Sequence, residues 1–345
     1  KDELDERALR LRTTTVSRLA PRGLIVDRQG VPLAGVKETI LITCTPKAAK
    51  DDPKLLSRLS AILAVPVEKL RKNLDEGYSR PQVPTAVHEG ATIEQAIQIV
   101  ERDDLPGVEV SSQPMRTYRN TKIYAHVMGY VRAPDDRDIK RIKEKGAEAA
   151  AYVGKQGLER THEVDLMGRP GIEEVERDLS NKAVLTKPVR PAVPGKKLIL
   201  GLDHELQEFA WNLMQGREGS IVAMDPNNGE ILCMVSYPSF DASLFQGGLT
   251  SAQYKQLQED PTTPLVNRAV ATAVAPGSTF KIVTALARME NGDFRTDRYH
   301  FCSGGMKVGN RFIKCTGNHA SVSFNRAMAK SCNAYFMAEA LALGP

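Results

Sequence analysis

Apolar and polar positions alternate along this chain in two rhythms, one helical and one of strands. The opening, Asp2 to Ala20, is charged and Arg-rich with leucines at helical spacing, and reads as an exposed helix or a lead-in. Two short apolar runs between Arg22 and Ala34 flank Asp27-Arg28-Gln29-Gly30, which signals a hairpin. From Lys47 to Glu76 the pattern is helical: Pro53 can start a helix whose buried stripe is Leu55, Leu56, Leu59, Ile62 and Leu63. Pro66 breaks it, and a second short helix follows. Thr92 and Gln95 form a capping box ahead of Ile93, Ala96, Ile97 and Val100. Leu105-Pro106-Gly107 ends that helix, and a strand, Val108 to Val110, follows. This stretch predicts a small α+β unit inserted after the first hairpin. Strand character returns from Leu166 to Gly171 and from Glu173 to Leu185, with a polar turn at Ser180-Asn181. The Pro-rich run from Lys187 to Gly195 marks a boundary. Beyond it the pattern predicts a strand (Lys197 to Leu202), a helix (Asp203 to Met214), two strands (Ser220 to Met224 and Ile231 to Ser236) and a buried helix (Ile282 to Met289).

Composition narrows the class. At 345 residues two domains are the natural expectation, and 41% hydrophobic with 26% charged residues suits a globular protein with a real core. The formal net charge of +5 is spread among acidic residues, which argues against a nucleic-acid partner. No run of 18 apolar residues exists, so no stretch reads as membrane-spanning, and no signal peptide opens the chain. Of the five cysteines, Cys44 and Cys233 sit alone in apolar runs and read as buried small hydrophobes.

The strongest chemical signal is Ala273-Val274-Ala275-Pro276-Gly277-Ser278-Thr279-Phe280-Lys281. Pro-Gly makes a tight turn and places Ser278 at a helix start, where Ser278 and Lys281, three apart, share one face. A serine hydroxyl becomes a nucleophile when a base takes its proton. A lysine serves as that base once burial and the positive helix end lower its pKa. The N–H of Ser278 at the same helix start offers half of an oxyanion hole. A bare Ser-x-x-Lys is weak; the flanking residues make it specific.

With Asn267-Arg268-Ala269 and Pro276 to Lys281, the chain resembles the penicillin-binding proteins at their nucleophile motif. Ser331-Cys332-Asn333, followed by Ala334-Tyr335-Phe336, is similar to their second motif, Ser-x-Asn, and Tyr237-Pro238-Ser239-Phe240-Asp241 is also typical. Arg22 to Ala34 resembles the hairpin opening the non-catalytic region of class B members, with Gly157-Leu158-Glu159-Arg160 and Arg169-Pro170-Gly171 matching its return segment. The likeness runs from about residue 20 to the end and is greatest to the elongation-specific type. It implies an α+β fold, elongated and multi-domain: a discontinuous pedestal (1–35 and 165–196), an inserted anchor or head subdomain (36–164), and the N-terminal part of a transpeptidase domain (197–345). It implies a DD-transpeptidase in which Ser278 is acylated by a D-Ala-D-Ala peptide or a β-lactam. Lys281 would then be the general base, Ser331 a proton relay to the leaving amine, and Asn333 a holder of the peptide or of Lys281. It implies no cofactor for catalysis, a single-pass anchor upstream in the cytoplasmic membrane, a periplasmic bulk, and partners of the RodA glycosyltransferase and MreC scaffold kind.

The family's third motif, Lys-Thr-Gly or Lys-Ser-Gly, does not occur; Lys314-Cys315-Thr316-Gly317 carries an extra residue and precedes the second motif. The 345 residues alone are therefore expected to be an impaired catalyst. Ser323-Phe324-Asn325 is a competing Ser-x-Asn, with Ser323 reading as a helix N-cap. Cys302, Cys315, His319 and Cys332 follow the spacing Cys-x12-Cys-x3-His-x12-Cys, which suits tetrahedral zinc; a Cys302–Cys315 disulfide and free thiols are the alternatives. A metal there would fix the second motif from behind, with Cys332 facing away from the cleft. His88, His126, His162, His204 and His300 show no partner pattern, and Asp225, Glu230 and Asp241 read as turn residues. Two further readings stay open: a DD-carboxypeptidase or class D-like β-lactamase, which shares Ser-x-x-Lys, and a non-catalytic activator of a membrane glycosyltransferase.

Overall fold

A computed structural model of the chain describes residues 13–76, 81, 84–147, 150–177, 183–246, 249, 251–292 and 294–344. Its contacts fall into two compact units, Lys1–Thr272 and Ala273–Pro345.

The first unit opens with β1 (Thr13–Arg18), β2 (Ile25–Val26) and β3 (Pro32–Cys44). The exposed helix expected at the start is thus a strand over 13–18, while Asp2 to Arg12 lies outside the described residues. The run Thr13-Thr14-Thr15-Val16 is β-branched throughout, and such residues favour an extended backbone. Asp27 makes the predicted hairpin: its carboxylate accepts the N–H of Gln29 (2.9 Å) and Val31 (2.7 Å), and Gly30 takes φ +88°. Helices α1 (Pro46–Asp51), α2 (Leu55–Leu63) and α3 (Val67–Glu76) follow, with Pro46 opening α1 and Pro53 lying between α1 and α2. Leu55, Leu56, Leu59 and Leu63 are buried as expected, and Ile62 is half-buried. Next come β4 (Thr85–Ala91), α4 (Ile93–Val100) and β5 (Val108–Tyr118). Thr92 and Gln95 form the full reciprocal capping box. Only Ala96 and Ile99 of α4 are buried; Ile93, Ile97 and Val100 face outward. Strand β5 runs well past Val110 because it pairs with β3 along its whole length.

The unit continues through α5 (Ala125–Met128), β6 (Val131–Arg132), α6 (Asp136–Glu144), β7 (Val153–Gly154), α7 (Gly157–Thr161) and α8 (Glu163–Leu166). Leu166, read as the start of a strand, therefore ends a helix. Strands β8 (Gly171–Arg177) and β9 (Ala183–Arg190) then join β1 in a three-stranded sheet, β1-β8-β9. The turn expected at Ser180-Asn181 lies outside the described residues. Pro188 is tolerated because β9 is an edge strand. Strand β10 (Leu198–Ile199) completes a five-stranded sheet, β10-β2-β3-β4 with β5 on β3. Helix α9 (His204–Leu213), β11 (Gly219–Met224), β12 (Ile231–Tyr237) and helices α10 (Ser243–Gln246), α11 (Ser251–Glu259) and α12 (Arg268–Ala271) finish the unit.

Two segments singled out in the sequence meet in a buried ion cluster. Glu159 accepts from Arg22 Nε (2.5 Å) and Arg116 Nε (2.6 Å), and Glu163 accepts from Arg22 Nη1 and Nη2 (both 2.9 Å). Both carboxylates are fully buried, so each needs its arginine. His204 at the head of α9 also finds a partner, its Nδ1 lying 2.7 Å from the buried Asp27 carboxylate.

His126 on α5 is 7% exposed and stacks edge-on against Phe240. Burial lowers its pKa from 6.5 to about 4. The unfolded chain therefore takes up this proton first, and stability falls as pH drops from 6.5 towards 4. The loss is about 3 kcal/mol, at 1.36 kcal/mol per unit. A His126→Phe variant should show a pH dependence of unfolding flatter by about that amount between pH 7 and 4. Parallel curves for parent and variant in denaturant titrations would contradict it.

The second unit holds a 3-10 turn (Gly277–Thr279), α13 (Phe280–Glu290), β13 (His300–Cys302), β14 (Gly305–Val308), β15 (Arg311–Lys314), β16 (Ala320–Val322), α14 (Phe324–Ala329) and α15 (Asn333–Leu343). Strands pair as β13-β16 and β14-β15. The core is Ala285, Cys302, Val322, Ala327, Cys332, Ala334, Tyr335 and Phe336. Helix α13 is not buried all round as expected. It sinks Lys281, Thr284, Ala285 and Arg288, while Ile282, Val283, Leu286 and Met289 stay exposed, because no described element packs on that face.

Candidate active site

Pro276 and Gly277, the latter at φ +55°, turn the chain into the 3-10 segment that leads α13. Ser278 lies in that turn, exposed, and Lys281 is the second residue of α13, only 9% exposed. Thr279 locks the turn by donating its N–H (3.3 Å) and hydroxyl (2.5 Å) to the Pro276 carbonyl.

The second motif closes one helix and opens another. Cys332 N–H reaches back to the Ala327 carbonyl (2.8 Å), and Ser331 N–H to that of Met328 (3.1 Å). Ser331 takes φ +52°, a left-handed conformation that costs a β-carbon residue on the order of 1–3 kcal/mol. Ser331 Oγ lies 2.7 Å from Ser278 Oγ and accepts from Lys281 Nζ at 2.9 Å; the same ammonium donates to the Ser331 carbonyl at 2.6 Å. The helical pair predicted from spacing is thus joined through a third residue. Among the described residues no hydrogen bond runs directly from Ser278 to Lys281. Burial pushes the Lys281 amine below its ordinary value, while the Cys315 and Cys332 sulfurs act in the opposite sense. Its Nζ also stands 5.8 Å over the Phe336 ring.

Asn333 Nδ2 donates to the Lys314 carbonyl (3.0 Å) and its N–H to Cys315 Sγ (3.1 Å), so it ties the motif to the end of β15 rather than to Lys281. Ser323 occupies the N-cap position of α14 without a side-chain cap bond; its carbonyl accepts the Ala327 N–H. Ser323 takes no part in the serine–lysine group.

Behind Ser331 the four expected ligands converge. Cys302 ends β13, Cys315 follows β15, His319 precedes β16 and Cys332 sits fully buried, its sulfur directed to Cys315. Cys315 Sγ is 3.8 Å from Cys332 Sγ and 3.6 Å from His319 Nδ1; Cys302 Sγ is 3.7 Å from the same nitrogen. All four donor atoms lie within 4.8 Å of one another. All five cysteines are free thiols, so no Cys302–Cys315 disulfide is formed. Burial alone would raise the Cys315 thiol, but N–H groups of Ala334, Gly317 and Asn333 overrule it and bring its pKa well down. Burial raises Cys332. Cys44 and Cys233 are buried and far simpler, with burial raising both thiols. Asp225 and Asp241 cap their own turns, accepting the N–H of Asn227 (2.8 Å) and Ser243 (3.0 Å).

Sequence reasoning missed Glu339, Arg288 and His300. Glu339 accepts from Arg288 Nε (2.8 Å) and lies 2.6 Å from His300 Nε2, with both acid and arginine side chains nearly sealed. A signal existed: Arg288 falls seven residues after Lys281, on the same helix face.

Residues 17–200 match the family model of the penicillin-binding protein dimerisation domain, and residues 219–345 that of the penicillin-binding protein transpeptidase domain. The peptidoglycan D,D-transpeptidase MrdA of Acinetobacter baumannii is 32% identical over 91% of this chain and 48% of its own. That of Escherichia coli K12 is 31% identical over 94% of this chain and 53% of its own. Penicillin-binding protein 3 of Bacillus subtilis is 26% identical over 96% of this chain and 50% of its own. The chain thus spans about half the length of the curated relatives it matches. Its fold is that of the penicillin-binding protein (PBP2) solved in complex with MreC from Helicobacter pylori: TM-score 0.81, 24% identity, 96% of this chain and 62% of that one.

Proposed function

The chain belongs to the penicillin-binding proteins, carrying their dimerisation and transpeptidase domains in order, and on that premise we propose that it is the extracytoplasmic part of a class B, elongation-specific peptidoglycan DD-transpeptidase. The observation that carries this reading is the hydrogen-bonded chain from Ser278 Oγ through Ser331 Oγ to Lys281 Nζ.

The chemistry follows from that order. Neutral Lys281 draws a proton from Ser331, which draws one from Ser278, and the freed oxygen attacks the carbonyl of the penultimate D-Ala of a stem peptide. The Ser278 N–H faces the developing oxyanion. When the C–N bond breaks, the proton returns through Ser331 to the departing D-Ala amine. The acyl group stays on Ser278 until an amine of a second stem peptide attacks the ester, forming the cross-link and restoring the serine. A β-lactam enters by the same first step, its amide opening onto Ser278. Asn333, its side chain held by the Lys314 carbonyl, would contact the bound peptide. Catalysis in this scheme uses protein groups only.

The wider reading is also ours. A pedestal of residues 1–35 and 165–196 is supported by the β1-β8-β9 sheet, which joins 13–18 to 171–190 across the intervening chain. An inserted subdomain at 36–164 draws support over its first part from a separate core of Ile42, Leu55, Leu59, Val87, Ile99 and their neighbours, while Ile123, Tyr124 and Met128 pack with Ile25 and Leu202. Residues 197–345 would then begin the transpeptidase part. Among the described residues no helix is long and apolar enough to cross a membrane; a membrane anchor, a periplasmic bulk and partners of the RodA and MreC kind are proposed from the family. For MreC, the solved complex of a protein with this fold lends support.

Cys302, Cys315, His319 and Cys332 are proposed to hold a structural zinc. Support comes from the donor separations: tetrahedral zinc with these ligands requires about 3.8 Å between sulfurs and about 3.6 Å between sulfur and nitrogen, close to the 3.8, 3.6 and 3.7 Å found for Cys315–Cys332, Cys315–His319 and Cys302–His319, with all four donors within 4.8 Å of one another. The metal would cross-link the segment that carries Ser331 to β13 and β15.

Treating the full-length protein that carries this chain with a fluorescent penicillin should leave a covalent adduct on the Ser278 peptide, read by mass spectrometry, that survives for hours. Ser278→Ala should carry none. A folded parent without the adduct removes the enzyme reading and leaves the non-catalytic activator. An adduct lost within seconds indicates a hydrolase of the β-lactamase or carboxypeptidase type instead.

A further inference from the structure

The group Ser278–Ser331–Lys281 is assembled from two helices, and its geometry depends on how those helices are set against each other. Ser278 lies in the 3-10 turn that leads α13 and Lys281 in the first turn of α13; Ser331 sits just before the start of α15. Lys281 Nζ meets both oxygens of Ser331, at 2.9 and 2.6 Å. A shift of one helix along the other by a fraction of an ångström would break one of these contacts.

At the far end of the same contact the two helices are pinned. Arg288 stands seven residues beyond Lys281, roughly 10 Å along α13, and Glu339 six residues beyond Asn333, roughly 9 Å along α15. Arg288 Nε donates to Glu339 Oε2 at 2.8 Å, with both side chains 2–3% exposed. The other carboxylate oxygen, Oε1, lies 2.6 Å from His300 Nε2, and Arg298 Nη1 is 3.9 Å from Oε2. His300 opens β13, the strand that ends at Cys302 of the Cys-His cluster, and its ring packs edge-on against Tyr335 of α15. One buried carboxylate therefore holds three elements: the helix bearing the nucleophile and the lysine, the helix that follows the second motif, and the strand leading into the cluster behind it.

We infer that Glu339 is a positioning residue for acylation, a buried clamp that through Arg288 and His300 sets α13 against α15 and so keeps Lys281 in register with Ser331. This rests on the acyl-transfer reading of Ser278. Neither Glu339 nor Arg288 touches the reacting groups. A buried ion pair is weak evidence of stability in itself, since well-packed apolar residues often serve as well or better. What an apolar pair cannot reproduce is a directional bond of fixed length at each oxygen.

That distinction supplies the test. In the full-length protein, penicillin acylation is resolved into the non-covalent binding constant and the acylation rate constant for the parent, for Glu339→Gln, and for the double variant Arg288→Met with Glu339→Leu. The double variant removes both charges of the Arg288–Glu339 pair together and should unfold within a few degrees of the parent. The clamp requires the acylation rate constant to fall about tenfold or more in both variants, since misplacement by about 1 Å can cost a hundredfold. The binding constant should move by less than about threefold. If the double variant acylates at the parent's rate, the clamp is only structural and the inference is overturned. A parent that takes no adduct at Ser278 overturns the acyl-transfer reading as well, and the parent arm alone separates that result from failure of the clamp.

Discussion

Lys281→Met is expected to slow acylation of Ser278 by a penicillin about 10²–10⁴-fold, the range that a positioned general base contributes. Methionine keeps the unbranched shape of a side chain that is almost sealed, and removes an amine that burial already disfavours in its charged form. The variant gives up two hydrogen bonds to Ser331 but also the cost of burying a charge, so its thermal midpoint should stay within a few degrees of the parent's and the loss will be of chemistry and not of fold. The pH dependence should change with it. Only the neutral amine can accept the proton, so the parent's acylation rate rises with pH as Lys281 loses its own. Because burial lowers the Lys281 pKa, that rise begins below the range of an exposed lysine. In Lys281→Met this limb of the profile disappears. Ser331→Ala tests the relay: without that hydroxyl the amine has no hydrogen-bonded route to Ser278, and the rate should approach that of Lys281→Met. A Ser331→Ala variant with the parent's rate would mean that Lys281 reaches Ser278 directly, and the relay order would be wrong.

The sequence made the nucleophile turn legible because three local rules agree there: Pro-Gly turns the chain, Ser278 begins a helical segment, and Lys281 falls one turn on. It could not show the path between them. That path depends on a left-handed residue at Ser331, and nothing in Ser331-Cys332-Asn333 distinguishes such a backbone from an extended one. Cys332 is fully buried, as a residue facing away from the cleft would be. The hairpin at Asp27 and the capping box at Thr92 were readable for the same reason as the turn, since each is made by contacts within a few residues.

Where the reading failed, the deciding contact was long-range. Thr13 to Arg18 is a strand because β8, more than 150 residues away, pairs with it. Helix α13 carries apolar residues on more than one side, and only the neighbouring elements decide which side is covered. His204 and His300 looked ordinary because their carboxylates, Asp27 and Glu339, are 177 and 39 residues distant. Periodicity reports which positions are apolar; it does not report which face will be covered, and a lone polar residue carries no record of the partner that burial will require.

Removing zinc should have the second large effect. Purified without chelator, the full-length protein is expected to carry one zinc per chain, and Cys315→Ser to carry none, since the Cys315 sulfur lies 3.6 Å from His319 Nδ1 and 3.8 Å from Cys332 Sγ. Cys315 also accepts the Asn333 N–H, so the same substitution loosens the second motif. A ligand present at 1,000 times its dissociation constant stabilises the folded state by about 4 kcal/mol. At a few degrees per kcal/mol that corresponds to a fall of roughly 10 °C in the thermal midpoint on metal loss. Penicillin acylation should decline with it, because Ser331 would no longer be held from behind by Cys332. The sign with pH is fixed by the ligands: thiolates and a neutral imidazole must be deprotonated, so acid competes with the metal and zinc should be released as pH falls. Metal analysis that finds no zinc, together with a titre near three reactive thiols in the native protein, would remove the metal. The pull of the Ala334, Gly317 and Asn333 amides on the Cys315 sulfur would then be left to account for the cluster alone.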